Sequence, residues 1–192
     1  MLDERRLVLR IKAGEPQAFR DLYDAFGDRV LGYALRLTGC REEAEDIVQE
    51  TFVAAYSGSA RFEGRARLIS WLLGIATRRW RDRSRGAALP PVALLEDVAY
   101  DPGVERGVID SVSIAYALSR LEPPFREALL LVRSQGLTYS EAAVILGEPE
   151  GTVKWRVFEA SRKAQKFLKS FDGDGDEVQR EPATENRRAC RR

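Results

Sequence analysis

Gly136–Arg156, GLTYSEAAVILGEPEGTVKWR, is the stretch on which the fold turns. Thr138 and Glu141 stand three residues apart, the spacing of a capping box, and predict a helix start. Ala142, Ala143, Ile145 and Leu146 make that helix small and apolar, suited to close packing. Gly147 suits a left-handed stop. Pro149 suits the first turn of the next helix, where a missing N–H costs nothing. Two helices joined by so short a turn form a helix-turn-helix, and the expected ligand is DNA.

On a helical wheel of the second helix, Val153, Val157, Ala160, Ala164 and Phe167 share one face, the predicted core face. Trp155 and Arg162 point almost directly opposite. A recognition helix offers its N-terminal residues to base edges and phosphates. Thr152, Lys154, Trp155, Arg156 and Arg162 are therefore the candidate DNA contacts. From 151 to 171 the bases are Lys154, Arg156, Arg162, Lys163, Lys166 and Lys169, against Glu159 alone. The plainer alternative is a solvated basic helix in an ordinary bundle. For Trp155 the alternative is packing on a neighbouring helix or on the linker.

Working outward, helical periodicity dominates and no segment alternates long enough for a strand. Phe19, Leu22, Tyr23, Phe26, Val30, Ala34 and Leu37 form one stripe, with Gly27 as an expected break or kink. Ala44, Ile47, Val48, Phe52 and Ala55 form a second. Leu68, Trp71, Leu72 and Ile75 form a third. A short helix is expected at 4–12. The fold class is all-α: a helical bundle over 1–85, an acidic linker over 86–110, a second helical unit over 111–171 and a tail over 172–192. The linker holds Gly86, Pro90, Pro91, Pro102, Gly103 and Gly107 and is expected to be poorly structured, with at most a short helical piece near Leu94. In the second unit Pro123-Pro124 is expected to break the helical period. The polar tail is expected to be disordered.

Composition narrows the function classes. The chain has 192 residues, 44% hydrophobic and 32% charged, so a buried core is within reach. Net charge is only +1, so a nucleic-acid partner has to be sought in charge distribution rather than charge balance. The absence of histidine removes the commonest general base and zinc ligand. No Ser/His/Asp or Cys/His set can be drawn, and an enzyme is the weakest option. Cys40 and Cys190 have no metal or redox spacing, and the simple expectation is a reduced, cytoplasmic setting. Asp172, Asp174 and Asp176 suggest a calcium loop, but Glu177 and Ala183 stand where its Gly and Glu belong. No metal or cofactor is expected. The N-terminus, MLDERRLVLRIK, has no long apolar core and does not read as a secretory signal. Nor is any apolar run long enough for a bilayer, so no membrane partner is expected.

Two further clusters stand out. Arg61, Arg65, Arg67, Arg78, Arg79, Arg81, Arg83 and Arg85 are interleaved with Phe62, Trp71 and Trp80. Basic grooves with aromatics suit single-stranded nucleic acid. Trp71 sits on the apolar stripe and reads as core. Trp80, among arginines, reads as a base-stacking candidate. The helix through residues 44–55 turns Glu45, Asp46, Gln49 and Glu50 outward. An acidic face is badly placed for phosphate and better placed for a basic protein surface, though a merely solvated face is the bland alternative.

These motifs together resemble one family. GLTYSEAAVILGEPEGTVKWR, preceded by ALSRLEPPFREALLL, is similar to the domain-4 helix-turn-helix of bacterial sigma factors of the extracytoplasmic-function type. AEDIVQETF at 44–52 resembles that family's domain-2 polymerase-binding helix. RFEG at 61–64 and WLLGIA at 71–76 resemble its promoter-melting and −10 segment. The resemblance covers about residues 15–170 in the family's order.

It implies a protein that binds core RNA polymerase and directs it to promoter DNA, performing no chemistry itself. Domain 2 would dock on the clamp helices through Glu45, Asp46, Gln49 and Glu50. It would engage the −10 element through Arg61, Phe62, Arg65, Arg67, Arg78, Arg79, Trp80, Arg81 and Arg83. Domain 4 would read the −35 element and touch the polymerase flap, and an anti-sigma factor becomes a further expected partner. Three positions depart from the family. Arg78 stands where it commonly has asparagine, Glu159 where it favours arginine, and Trp155 where it has a small residue. Two other readings compete: a mimic that titrates an anti-sigma protein, and a dimeric helix-turn-helix repressor.

Overall fold

A computed structural model of the chain describes residues 3–84 and 113–173, and among them every regular element is helical. The first four helices are α1 (Glu4–Lys12), α2 (Pro16–Thr38), α3 (Arg41–Gly58) and α4 (Leu68–Ser84). Then come α5 (113–119), α6 (Pro123–Leu129), α7 (Tyr139–Leu146) and α8 (Glu150–Gly173). The expected short first helix is α1. Arg85, the piece weighed near Leu94 and the tail past 173 lie outside the described residues. No described helix is long and apolar enough to cross a membrane.

Local chemistry sets several helix ends. The Asp3 side chain accepts from the Arg6 N–H at the start of α1, and Arg10 and Lys12 sit in its last turn, where they complement the helix dipole. Gly39 ends α2 with φ 69°. Gly27 does not break α2. It is buried within an unbroken helix. A single glycine costs about 1 kcal/mol against alanine, less than burial of Leu22, Val30, Tyr33 and Leu37 supplies.

The Pro123-Pro124 pair opens α6 rather than only ending what precedes it, since proline is tolerated in a first turn. Beyond Leu129 the helix widens into a π turn over Leu130–Ser134. The expected capping box is present: the Thr138 N–H donates to Glu141 Oε2 at 2.9 Å and the Glu141 N–H to Thr138 Oγ1 at 3.2 Å. Gly147 ends α7 with φ 69°. Pro149 sits one residue ahead of α8, where its carbonyl accepts from the Val153 N–H at 3.2 Å. It precedes the first turn instead of lying in it.

One apolar core runs through both halves. α2, α3 and α4 pack on one another with α1 laid against α2, and α8 packs on α6 and α7. α4 meets α7, which joins the two halves. Val153, Val157 and Ala160 are at most 1% exposed, with Ala164 and Phe167 packed beside them, as the wheel predicts. Arg126, only 4% exposed, donates to the carbonyls of Leu37 at 2.8 Å, Ser119 at 2.9 Å and Leu121 at 3.1 Å. It ties the C-terminal end of α2 to the α5–α6 turn. Burial lowers its guanidinium to about 10, so it stays charged at neutral pH.

Candidate nucleic-acid interface

The start of α8 presents an outward stripe. Lys154, Trp155 and Arg162 are exposed, and Thr152 is half-buried. Lys154 pairs with Glu150 at 2.7 Å and Arg162 with Glu159 at 2.7 Å. Such exposed pairs contribute little to stability and are readily exchanged for phosphate. Glu159, the departure from the family, therefore holds a cation that could otherwise face DNA. Arg156 differs from the rest. Its side chain is 17% exposed and reaches back to Glu148 at 3.0 Å, bracing the turn between α7 and α8. Trp155 leans on Phe125 of α6, with ring centroids 5.5 Å apart, while Lys163 caps the same Phe125 ring at 4.1 Å. Trp155 thus packs on a neighbouring helix and still keeps 55% of its surface exposed. Phe158, 66% exposed, continues the stripe one turn on. Sequence reasoning passed it over, although its i+3 spacing from Trp155 was the available signal.

The arginine-rich segment is divided by the fold. Arg61, Arg65 and Arg78 are exposed, with Arg65 paired to Glu63 at 2.8 Å. Gly64 takes φ 76°, the left-handed turn of this loop. Two aromatics do not take the place expected of them. Phe62 is 7% exposed and stacks on Trp71 at 4.3 Å, so its ring closes the loop onto α4. Trp80 is 2% exposed and belongs to the core, because its position on α4 continues the Leu72, Leu73 and Ala76 face. Its arginine neighbours point elsewhere. Arg83 donates to Asp46 at 3.3 Å and to Glu50 at 2.5 Å, and Arg79 lies 3.9 Å from Glu50, all tying α4 to α3. Arg81 forks onto Glu127 of α6, with Nε to Oε1 at 2.8 Å, and also reaches the Leu146 carbonyl at 3.2 Å.

Arg67 forks onto Glu141 at 2.8 and 3.0 Å, and the Ser70 hydroxyl donates to the same carboxylate at 3.0 Å. Burial pushes the Glu141 carboxyl up. Hydrogen bonds from Arg67, from the Thr138 N–H and hydroxyl and from Ser70 outweigh it and bring the carboxyl down to about 2. A depressed carboxylate adds stability that is present above its unfolded value, about 4.5, and lost as pH falls through about 2. The wild-type chain should therefore lose urea resistance across that window faster than Glu141→Gln, which keeps an acceptor without the titrating charge. Parallel midpoints for the two chains from pH 4.5 to 2 would refute this coupling.

The acidic helix has two sides. Asp46 and Glu50 face the arginines of α4. Glu45 and Gln49 face a groove of about 620 Å³ between α2 and α3. Tyr23, Leu31, Val48, Phe52, Val53 and Tyr56 line it. Tyr23, Val53 and Tyr56 are more than half exposed, held by edge-to-face contacts of Tyr23 with Phe52 at 4.9 Å and of Phe19 with Tyr56 at 4.6 Å. The four residues expected to act together are thus split into two pairs. An aromatic groove beside one pair went unnoticed, because Tyr23 and Phe52 read as core in a periodicity scan.

Sigma-70 region 2 matches residues 22–89, and Sigma-70 region 4 matches residues 111–163. The ECF RNA polymerase sigma factor SigW of Bacillus subtilis is 30% identical over 183 residues, covering 87% of this chain and 97% of that protein. The chain belongs to the ECF sigma factors of the sigma-70 family. SigM of Mycobacterium tuberculosis is 34% identical over 157 residues, covering 81% of this chain and 80% of its own. Among solved structures, the sigma factor RpoE in complex with the anti-sigma factor NepR from Bartonella quintana superposes with a TM-score of 0.65. It is 30% identical and covers 79% of this chain and 96% of its own. CnrH in complex with the cytosolic domain of CnrY shares the fold, with a TM-score of 0.68 over 89% of this chain and 98% of its own at 24% identity.

In this ECF sigma factor α2 to α4 carry the region 2 match, with α1 ahead of it, and α5 to α8 carry the region 4 match. The ion pairs Arg67–Glu141 and Arg81–Glu127 run between the two. Glu127 and Arg126 carried no sequence signal, since each reads as a helical surface charge until a second helix covers it.

Proposed function

We propose that this sigma factor binds core RNA polymerase and carries it to promoters. The groove between α2 and α3, with Glu45 and Gln49 on its rim, is the polymerase-docking surface. The exposed arginines Arg61, Arg65 and Arg78 contact the −10 element. Lys154, Trp155, Phe158 and Arg162 on α8 meet the −35 duplex, with Thr152 at the helix start. Polymerase performs the chemistry, in the cytoplasm. An anti-sigma factor is a further partner class in this reading, since the related RpoE is bound by one.

The observation that supports docking best is the groove: exposed apolar and aromatic side chains beside carboxylate and amide groups, on a face not covered by another described helix. Aromatic side chains at the centre of a contact carry most of its binding energy. Asp46 and Glu50 are the wrong targets for a docking test, because reversing them would set two cations against Arg83 and Arg79. Val53→Glu is the better probe, since Val53 is 61% exposed. It should shift the folding midpoint by no more than about 0.5 kcal/mol, as surface changes do. It should weaken core-polymerase binding at least tenfold and lower run-off transcription from a promoter library to match. Wild-type affinity in that variant would refute the groove. Binding to a palindromic duplex without polymerase would favour a repressor instead.

A further inference from the structure

α4 begins without a cap of its own. The residues ahead of it are Gly64, Arg65, Ala66 and Arg67, and its first turn carries no acid. The Arg67 carbonyl accepts from the Trp71 N–H at 3.1 Å, which places Arg67 at the capping position. A guanidinium has no acceptor to offer an orphan helix N–H. Ser70 spends its hydroxyl on Glu141. The missing acceptor comes from another helix: the Leu68 N–H donates to Glu4 Oε1 of α1 at 2.5 Å. A carboxylate there also faces the positive end of the α4 dipole.

A second contact links α1 to the same loop. Val8 Cγ1 lies 3.3 Å from where a Cβ on Gly64 would stand, so α1 rests against the left-handed turn. α1 is itself well held. Leu7 and Ile11 are buried at 2% and 0% exposure. Arg10 pairs with Asp21 at 2.6 Å and with Glu15 at 2.8 Å. α1 therefore acts as a strut from α2 to the loop. It lies ahead of the residues that match Sigma-70 region 2, which begin at 22.

We propose that α1 is a positioning element for the loop 61–67, with Glu4 serving as a remote cap that fixes the start of α4 and so the aim of Arg61 and Arg65. This rests on the reading of that loop as the −10 contact. Phe62 stacked on Trp71 holds the loop from within, and Glu4 and Val8 hold it from outside.

Holoenzyme is assembled from core polymerase and the full chain as wild type, Glu4→Ala, Glu4→Gln and the double variant Arg61→Ala with Arg65→Ala. Glutamine keeps the acceptor and drops the charge. Run-off transcription compares matched and mismatched −10 templates, and hydrogen exchange of the free chain follows amides 62–71. Glu4→Ala should lower the −10 preference roughly fivefold, the scale of a lost helix cap, and speed exchange at the start of α4, with core binding retained. Glu4→Gln should hold both near wild type. If Glu4→Ala keeps the preference while the arginine variant loses it, the positioning role is overturned and the −10 reading stands. If the arginine variant also keeps it, the −10 reading fails, and exchange decides the cap alone. Faster exchange in Ala but not in Gln then supports the cap; unchanged exchange overturns it. A glutamine variant as impaired as alanine would also overturn it, since an acceptor would then not suffice.

Discussion

Trp80→Ala is expected to destabilise the free protein by about 3–5 kcal/mol, the cost of emptying a large buried site. Trp80 is 2% exposed and among the largest enclosed side chains of the core. α4 packs on α2, α3 and α7, so a void left on its buried face cannot close without shifting several helices. Trp80→Phe keeps an apolar ring and should cost roughly 1–2 kcal/mol. Urea unfolding of the three chains checks the order. The alternative taken from its arginine neighbours, a ring that stacks on a base, predicts a different pattern. The folding midpoint would be unchanged, and the loss would appear only in promoter opening, at about 1–3 kcal/mol per base. That pattern would return Trp80 to the DNA face.

Glu127→Ala should be the second large effect, at about 2–3 kcal/mol. Breaking a fully buried ion pair costs roughly 3–5 kcal/mol. The lower figure applies because Arg81 keeps 35% of its side chain exposed and can turn to water, while Glu127 is 3% exposed. Hydrogen bonding from Arg81 is reflected in its guanidinium, which Glu127 raises against the opposing effect of burial. The pair Arg81→Met with Glu127→Leu should recover to within about 1 kcal/mol of wild type, since apolar groups of like volume replace buried pairs well. A double-mutant cycle read by urea unfolding measures the coupling. Coupling near zero would mean that the Arg81–Glu127 pair does not help to hold α4 to α6.

The helix-turn-helix was legible almost to the residue. Thr138, Glu141 and Gly147 act within a few residues of where they stand, and local hydrogen bonding leaves little for tertiary context to change. The core face of α8 was legible for the same reason, as a period of 3.6 needs no partner to be seen. Gly27 was misjudged because intrinsic propensity is a weak term beside burial. Phe62 and Trp80 were misjudged because charge density along the chain says nothing of which way a neighbouring ring points.

The sequence by itself determined the helices, the capping box and glycine stop of α7, the order of the elements and the family, since these are legible in short stretches of the chain. Only the tertiary structure decided which charges are left outward. Arg67, Arg81 and Arg83 look equivalent to Arg61 and Arg78 in a list of basic residues. Packing α4 against α3 on one side and α7 on another, with Glu127 of α6 in reach of Arg81, assigns each of the first three to a carboxylate 33 to 74 positions away along the chain. Glu4, a plain first-turn acid in the sequence, became a cap for α4 by the same cause: an ion or donor is matched across space, and the sequence carries no record of that distance until the core is built.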